Sequence, residues 1–392
     1  MTPNRTLIPV LSAANFVIGM GAFVLIGMLT PLGEGLGITP ARTGWIMTTY
    51  ALAYAVLSPL LVSLTGQIGR RRVLAFALGT FAAANLLSAL AINEAMLHGA
   101  RILAAAGAGV MTPVTAAVAA GLSAEEERGK ALAAVFFGLT LAQVLGVPVG
   151  SWIAYTFGWR VAFGVVVMLA IPVIIMVWRV VPAGLAFQVV TLRDLGRTLG
   201  EARTMLAVMF TTTFLTGIYV VYTYLAPLLE DTMGYGRDGI TMVLVVFGLG
   251  AVGGNLLGGR MTDRIGPFRT LICLSIIQFV TMPLLSLLPL PDVWVFVICG
   301  LWSVFGWSFM AAQQVRIISI APESAAIVLA LNAAAIYIGA AIGSAIGSAV
   351  ISGYGVTGLG VAGGFVALLA VIHISVSEVW NRQGGKTGLN SP

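Results

Sequence analysis

Apolar runs of about twenty residues recur from one end of this 392-residue chain to the other, separated by short polar turns. A bilayer core takes about 20 apolar residues to cross as a helix. Only closed barrels and helices satisfy the backbone there, and runs of this length are helical. We count twelve, at roughly 6–30, 43–65, 73–92, 97–121, 130–154, 160–181, 204–229, 239–259, 269–288, 292–314, 325–350 and 357–379. With 59% of residues hydrophobic and 9% charged, the chain reads as an all-α integral membrane protein. The N-terminal MTPNRTLIPV leads into a run too long for a cleaved signal peptide, so it reads as the first span.

The net charge of +6 is spread singly or in threes between the spans, which is not a nucleic-acid pattern. Sixteen basic residues fall in loops on the side of both termini: Arg5, Arg70, Arg71, Arg72, Arg128, Lys130, Arg179, Arg193, Arg197, Arg203, Arg260, Arg264, Arg269, Arg316, Arg382 and Lys386. Only Arg42, Arg160 and Arg237 fall on the other. That asymmetry predicts both termini in the cytoplasm. The longest polar gap carries LRDLGRTL at helical spacing and divides the chain into a half at 1–181, a cytoplasmic linker at 182–203 and a half at 204–392. Cys273 and Cys299 sit inside apolar runs and read as buried thiols.

The halves repeat. Gly69 and Gly266, Glu126 and Glu323, Gly146 and Gly343, and Gly150 and Gly347 are each 197 apart. Four pairs in one register argue for two parallel, pseudo-symmetric six-helix halves. The fifth run, within GLTLAQVLGVPVGSWIAYTFGWRVAF (Gly138–Phe163), carries Gly146, Pro148 and Gly150. In a soluble helix interior each Gly costs about 1 kcal/mol and the Pro about 3; a membrane helix tolerates both. Gly339, Gly343 and Gly347 make a matching ladder in the eleventh run. Both faces suit close helix packing, with or without sliding where the halves meet.

LGVPVGSW followed by FGWRVAF resembles the fifth-helix antiporter motif of the twelve-helix drug:proton antiporter family of the major facilitator superfamily. The similarity is to its bacterial arabinose, sugar and purine efflux branch, and it covers essentially the whole chain. GGRMTDRIGPFR (Gly258–Arg269) resembles the family's short cytoplasmic signature. Gly19, Phe23, Val24, Gly27, Leu29 and Pro31 resemble its first-helix pattern, and RILAAAGAG around Arg101 its fourth-helix motif. The resemblance implies a monomeric transporter of the bacterial cytoplasmic (inner) membrane with no cofactor and no metal. Its partners would be a small-molecule substrate, protons and the lipid bilayer.

Gating or conformational roles are then expected of Arg70, Arg71, Gly146, Pro148, Gly150, Asp263, Arg264, Gly266, Gly343 and Gly347. In the first half Gly66 stands where the signature has Asp, so the Arg70–Arg72 cluster lacks an acidic partner in its own loop. Arg101, about one turn into the fourth run, reads either as a cavity group for substrate or proton transfer, or as a snorkelling side chain. Asn15, Tyr50, Tyr54, Gln143, Thr216, Tyr219, Thr223, Trp302, Phe305, Phe309, Gln313, Asn332 and Tyr337 complete the substrate-binding candidates, drawn from stripes that equally suit helix packing. Arg101, His98 and Glu34 are the proton-coupling candidates. The acidic residue that many exporters of this branch carry in the first helix is replaced by Ala22.

The expected function is secondary export of a small polar or amphipathic organic solute by alternating access, coupled to protons. A uniporter or uptake carrier of the same fold is the alternative, encouraged by Ala22. An intramembrane enzyme finds no support in two isolated histidines, His98 and His373, and no nucleotide-binding G-x-x-x-x-G-K-[ST] loop is present.

Overall fold

Helices follow wherever the chain is apolar for twenty residues, and they start and stop on local signals. The computed structural model describes residues 6–124, 127–185 and 192–387; Arg5, Glu125 and Glu126 lie outside them. Twelve helices are long and apolar enough to span a membrane: Leu7–Gly27, Pro40–Leu64, Arg70–Ala89, Glu94–Leu122, Arg128–Phe157, Trp159–Val180, Ala202–Met233, Arg237–Ile265, Pro267–Leu287, Asp292–Ile320, Ile327–Tyr354 and Gly358–Arg382. We number them spans 1 to 12. No strand occurs among the described residues.

Span 2 begins at Pro40, where a missing N–H costs nothing, and the Thr39 hydroxyl accepts from the Arg42 N–H. Span 4 begins where the Asn93 side chain accepts from the Met96 N–H. A short helix, Leu192–Gly200, occupies the polar gap before span 7.

Span 5 is not uniform. Its turn at Ala142–Gly146 is a π turn, in which the Val147 N–H donates back to the Ala142 carbonyl. Pro148 follows directly. Its ring has no N–H and crowds the carbonyl four residues earlier, so a wider turn lets the helix continue without a break.

The chain forms two compact units. The first comprises Met1–Val189, Leu225–Glu230 and Gly234–Val245. Span 1 is its axis, with 83% of its apolar window buried, and it packs on spans 4, 5 and 6. The second comprises Val190–Tyr224, Asp231–Met233 and Val246–Pro392. Here span 7 is the most buried at 78%, and packs on spans 11 and 12. The outer spans expose side chains such as Phe76, Met168, Val293 and Phe365, which lipid accommodates at no cost.

Small residues set the closest approaches. A Cβ on Gly138 of span 5 would run into the Ser12 carbonyl of span 1, and one on Gly150 into the Val24 side chain. In the second unit, a Cβ on Gly343 would come within 2.5 Å of the Thr216 carbonyl oxygen and 2.8 Å of the Tyr219 Cβ. Both glycine faces are therefore occupied inside their own units, by span 1 and by span 7.

The helices run further than the apolar runs. Basic residues that the sequence places in loops therefore lie inside helices, among them Arg70, Arg260, Arg264 and Arg316 in spans 3, 8 and 10. Span 10 runs on to Ile320 and buries Arg316 at 2% exposure. The helix carries this cation because Ser377 accepts from its Nη2 at 2.8 Å and Glu378 lies 3.7 Å from its Nε.

Candidate functional site

Arg101 is the eighth residue of span 4, about 10 Å from the helix start at 1.5 Å per residue. A guanidinium at that depth either reaches back to the headgroups or is enclosed by protein. It is enclosed: its exposure is 0%. The cation lies over the Tyr50 ring of span 2 at 4.4 Å and faces the Phe163 ring of span 6 at 5.7 Å. Nε, Nη1 and Nη2 have no hydrogen-bond partner, and no carboxylate pairs with the group among the described residues.

The arrangement is chemically pointed. Aromatic faces attract a cation, at about 0.5–2 kcal/mol each. They supply no acceptor, so five N–H donors remain unanswered. Buried donors are rarely left in that state, and the exceptions call for a reason. A guanidinium in this state can hold acceptor oxygens and repels a cation.

The neighbouring candidates divide. The Tyr54 ring lies 6.4 Å from that of Tyr50, tilted by 46°, and extends the aromatic wall. Asn15 of span 1 is buried and donates to Thr115 Oγ1 of span 4 at 2.9 Å. Gln143 is half-buried within the π turn. His98 shares the helix with Arg101 but serves another cluster. Its Nδ1 lies 2.8 Å from Thr49 Oγ1 and its Nε2 3.6 Å from Glu94, which also pairs with Arg42. Glu34 is exposed, in the short helix Leu29–Leu36 after span 1.

In the second unit, much of the polar stripe of span 7 is engaged by its neighbour. Thr212 and Thr216 donate to the Ala335 and Gly339 carbonyls of span 11, and Thr211 to Asn332 Oδ1. Thr223 Oγ1 is buried without a partner. Trp302 packs edge-on against Phe247 at 4.9 Å and Tyr222 at 6.3 Å; its indole N–H is also unanswered. Tyr219 stacks edge-on against Tyr222, and Phe309 lies 5.0 Å from Phe214. Gln313 donates to the Ala207 carbonyl at 2.8 Å while its Oε1 has no partner. Phe305 and Tyr337 are half-buried. The rings fall in two groups: Tyr219, Tyr222, Phe247 and Trp302 across spans 7, 8 and 10, and Phe214 and Phe309 across spans 7 and 10.

Of the conformational candidates, Arg70 is buried beside the Leu185 carbonyl, to which its backbone N–H donates. Arg71 stacks over Trp178 at 4.8 Å. Asp263 and Arg264 are exposed near the end of span 8, followed by Gly266 at φ 82°. That left-handed conformation favours glycine and makes the turn into span 9. Phe163, the second wall of the Arg101 site, was not singled out in the sequence. One more Phe in an apolar run carries no signal of what it faces.

The comparisons agree with this architecture. The chain matches the family model described as Major Facilitator Superfamily over residues 11–343. It is 31% identical to the uncharacterized MFS-type transporter YbcL of Bacillus subtilis (strain 168), over 96% of this chain and 97% of that one. It is 28% identical to a probable sugar efflux transporter of Helicobacter pylori (strain G27), over 93% of each. Among solved structures, a D-xylose-proton symporter matches with a TM-score of 0.76 at 17% identity, over 94% of this chain and 96% of that one. That likeness speaks to the fold alone.

A twelve-span helical membrane transporter is the class these observations define. The chain belongs to the major facilitator superfamily and is not an enzyme.

Proposed function

We propose that the chain is a proton-coupled exporter of a small polar or amphipathic organic solute, with Arg101 as its principal solute-binding group. The observation that carries this reading is the enclosed guanidinium between Tyr50 and Phe163 with no acceptor at any of its nitrogens. A solute bearing hydroxyl, carbonyl or carboxylate oxygens answers those donors; hydrogen bonds to a charged group contribute about 1.5–3 kcal/mol each. Sugar-like chemistry fits, and a relative is named a probable sugar efflux transporter.

Alternating access between the halves 1–181 and 204–392 would move the solute, with the protein a monomer in the bacterial cytoplasmic membrane and both termini inside. Sixteen basic residues against three on the opposite side support that orientation. Relatives named inner membrane transport protein YdhP support the location. The glycine faces at Gly146, Gly150, Gly343 and Gly347, the π turn before Pro148, and the turns at Arg70, Arg71, Asp263, Arg264 and Gly266 are the conformational elements of this reading.

For proton coupling, an Arg holds its own proton, so Arg101 would act electrostatically, favouring proton release by an acid brought beside it. Glu34 and His98 are peripheral to that site, Glu34 exposed on the short helix Leu29–Leu36 and His98 in the polar cluster with Thr49 and Glu94. The uncoupled alternative, a uniporter or uptake carrier, is favoured by one observation: Ala22, fully buried in span 1, stands where exporters of the resembled branch carry an acid.

A thermal-shift screen of the purified protein over sugars, nucleosides, amino acids and drugs identifies the solute. Everted vesicles then decide the coupling. Accumulation that requires an inward-acid gradient is expected; equilibration indifferent to pH would establish the uncoupled carrier instead.

A further inference from the structure

A second buried arginine, far along the chain from the enclosed Arg101, lines a cavity. The cavity, of about 300 Å³, opens where span 8 turns into span 9 and where spans 10 and 12 end. Gly266, Phe268, Arg269, Arg316, Glu378 and Arg382 line it, all within the second unit. Arg316 is 2% exposed, and its Nη1 has no hydrogen-bond partner.

The floor adds donors of a second kind. Span 9 starts at Pro267 after Gly266, which has no side chain to cap the helix. Pro267 has no N–H, so the Phe268 and Arg269 N–H groups are the unanswered donors of the first turn. A helix N-terminus also carries partial positive charge. The other polar side chains are already engaged. The Ser319 hydroxyl donates to the Arg316 carbonyl, and Asn381 Oδ1 accepts from Arg203 at 2.8 Å. Glu378 is the one acid, shared between Arg316 at 3.7 Å and Arg382 at 3.0 Å. Three guanidinium groups against one carboxylate leave the pocket positive.

We propose that this pocket is a binding site for a phosphate group. Backbone N–H donors at a helix start together with planar guanidinium forks suit a tetrahedral oxyanion with several acceptor oxygens. Ser319 lies one residue before the end of span 10 and the charged lining gathers at that end of the spans, which we take as their membrane–water boundary. Both a lipid headgroup and a soluble phosphate have access there, and basic pockets between spans are known to hold lipid headgroups.

The test uses full-length protein, delipidated in a neutral detergent and followed by thermal unfolding. Phosphatidylglycerol in mixed micelles is titrated against phosphatidylcholine, and inorganic phosphate against chloride at matched ionic strength. At least one phosphate source is expected to raise the melting temperature above its control. Stabilisation by phosphatidylglycerol alone assigns the lipid headgroup; stabilisation by inorganic phosphate assigns the soluble anion. Arg269→Gln and Arg316→Lys should each weaken the effective concentration about tenfold, and Glu378→Gln should strengthen it by removing the competing carboxylate. Should Arg316→Lys not fold, the exposed Arg269 carries the comparison. No shift over either control, or a shift that Arg269→Gln leaves unchanged, overturns the proposal.

Discussion

Replacing Arg101 with methionine tests the solute-binding reading, because it separates function from stability. An arginine held within a span costs about 2.5–3.5 kcal/mol on insertion scales. Two aromatic faces return about 0.5–2 kcal/mol each, from Tyr50 at 4.4 Å and Phe163 at 5.7 Å. The longer separation puts Phe163 at the low end. Methionine keeps much of the length, removes the desolvated charge, and gains sulfur–aromatic contacts of about 0.3–1.5 kcal/mol. Arg101→Met should therefore be about as stable as the parent or up to about 4 kcal/mol more stable. Transport should fall at the same time, with the solute's apparent affinity weakened about ten- to a hundredfold by the loss of charged donors. The assays are thermal unfolding in detergent and uptake into everted vesicles. Arg101→Lys should recover only part of the transport, since ammonium lacks the planar fork that lies on Tyr50. A methionine variant that melts lower yet transports normally would show that the guanidinium merely holds spans 2, 4 and 6 together, and the reasoning would fail.

Gly138→Ala should destabilise by about 1–3 kcal/mol, because the added methyl meets the Ser12 carbonyl and the Phe16 nitrogen, backbone that cannot swing aside. Gly79→Ala, with nothing within 4 Å of its Cβ position, should melt at or above the parent temperature in the same assay. His98→Ala should leave transport within about twofold and cost at most about 1 kcal/mol, since the ring serves a partly exposed cluster with Thr49 and Glu94; a transport loss matching that of Arg101→Met would place it in the pathway.

The span count was legible because bilayer thickness imposes a length that apolar runs report directly. The depth of Arg101, about one turn by the sequence, is about two because span 4 starts at Glu94. What surrounds Arg101 was not legible. Tyr50 and Phe163 lie 51 and 62 residues away in the chain, and an isolated aromatic in an apolar run reads the same whether it faces lipid or a cation. Arg316 was misplaced for a related reason. The signal of its burial is Glu378 on span 12, and a basic residue near a helix end otherwise looks like a topogenic loop charge. The threonine stripe of span 7 was visible by its spacing, while its work, donating to carbonyls exposed beside Gly339, required the partner helix.

The 197-residue repeat holds for the glycines but not for what they touch, and there the two units differ in a testable way. Gly146 and Gly150 meet Met20 and Val24 of span 1. The same offset carries Met20 and Val24 to Gly217 and Val221 of span 7. The observed partners of Gly343 and Gly347 bracket those positions: Thr216, Tyr219, Val220 and Tyr224. A slip of one residue turns a helix by about 100°, and Gly217 and Val221 themselves face Gly363 of span 12, so the glycine ladders repeat while the faces they meet do not. The chemistry at the two contacts has diverged as well. Span 7 is tied to span 11 by Thr212, Thr216 and Tyr224, which donate to the Ala335, Gly339 and Ser344 carbonyls, and by Thr211, which donates to Asn332 Oδ1. Span 5 meets span 1 through Met20 and Val24, with one cross-link from Ser151 Oγ to the Gly27 carbonyl, and it carries the π turn. Interhelical hydrogen bonds in membranes contribute about 0.6 kcal/mol each on average, so four against one makes the span 5 contact the softer by about 2 kcal/mol before the π turn is counted. Amide exchange over residues 142–150 should accordingly run several-fold faster than over 339–347 in the purified protein. Equal or slower exchange would mean that the π turn is as rigid as ordinary helix, and would remove span 5 as the element that yields first.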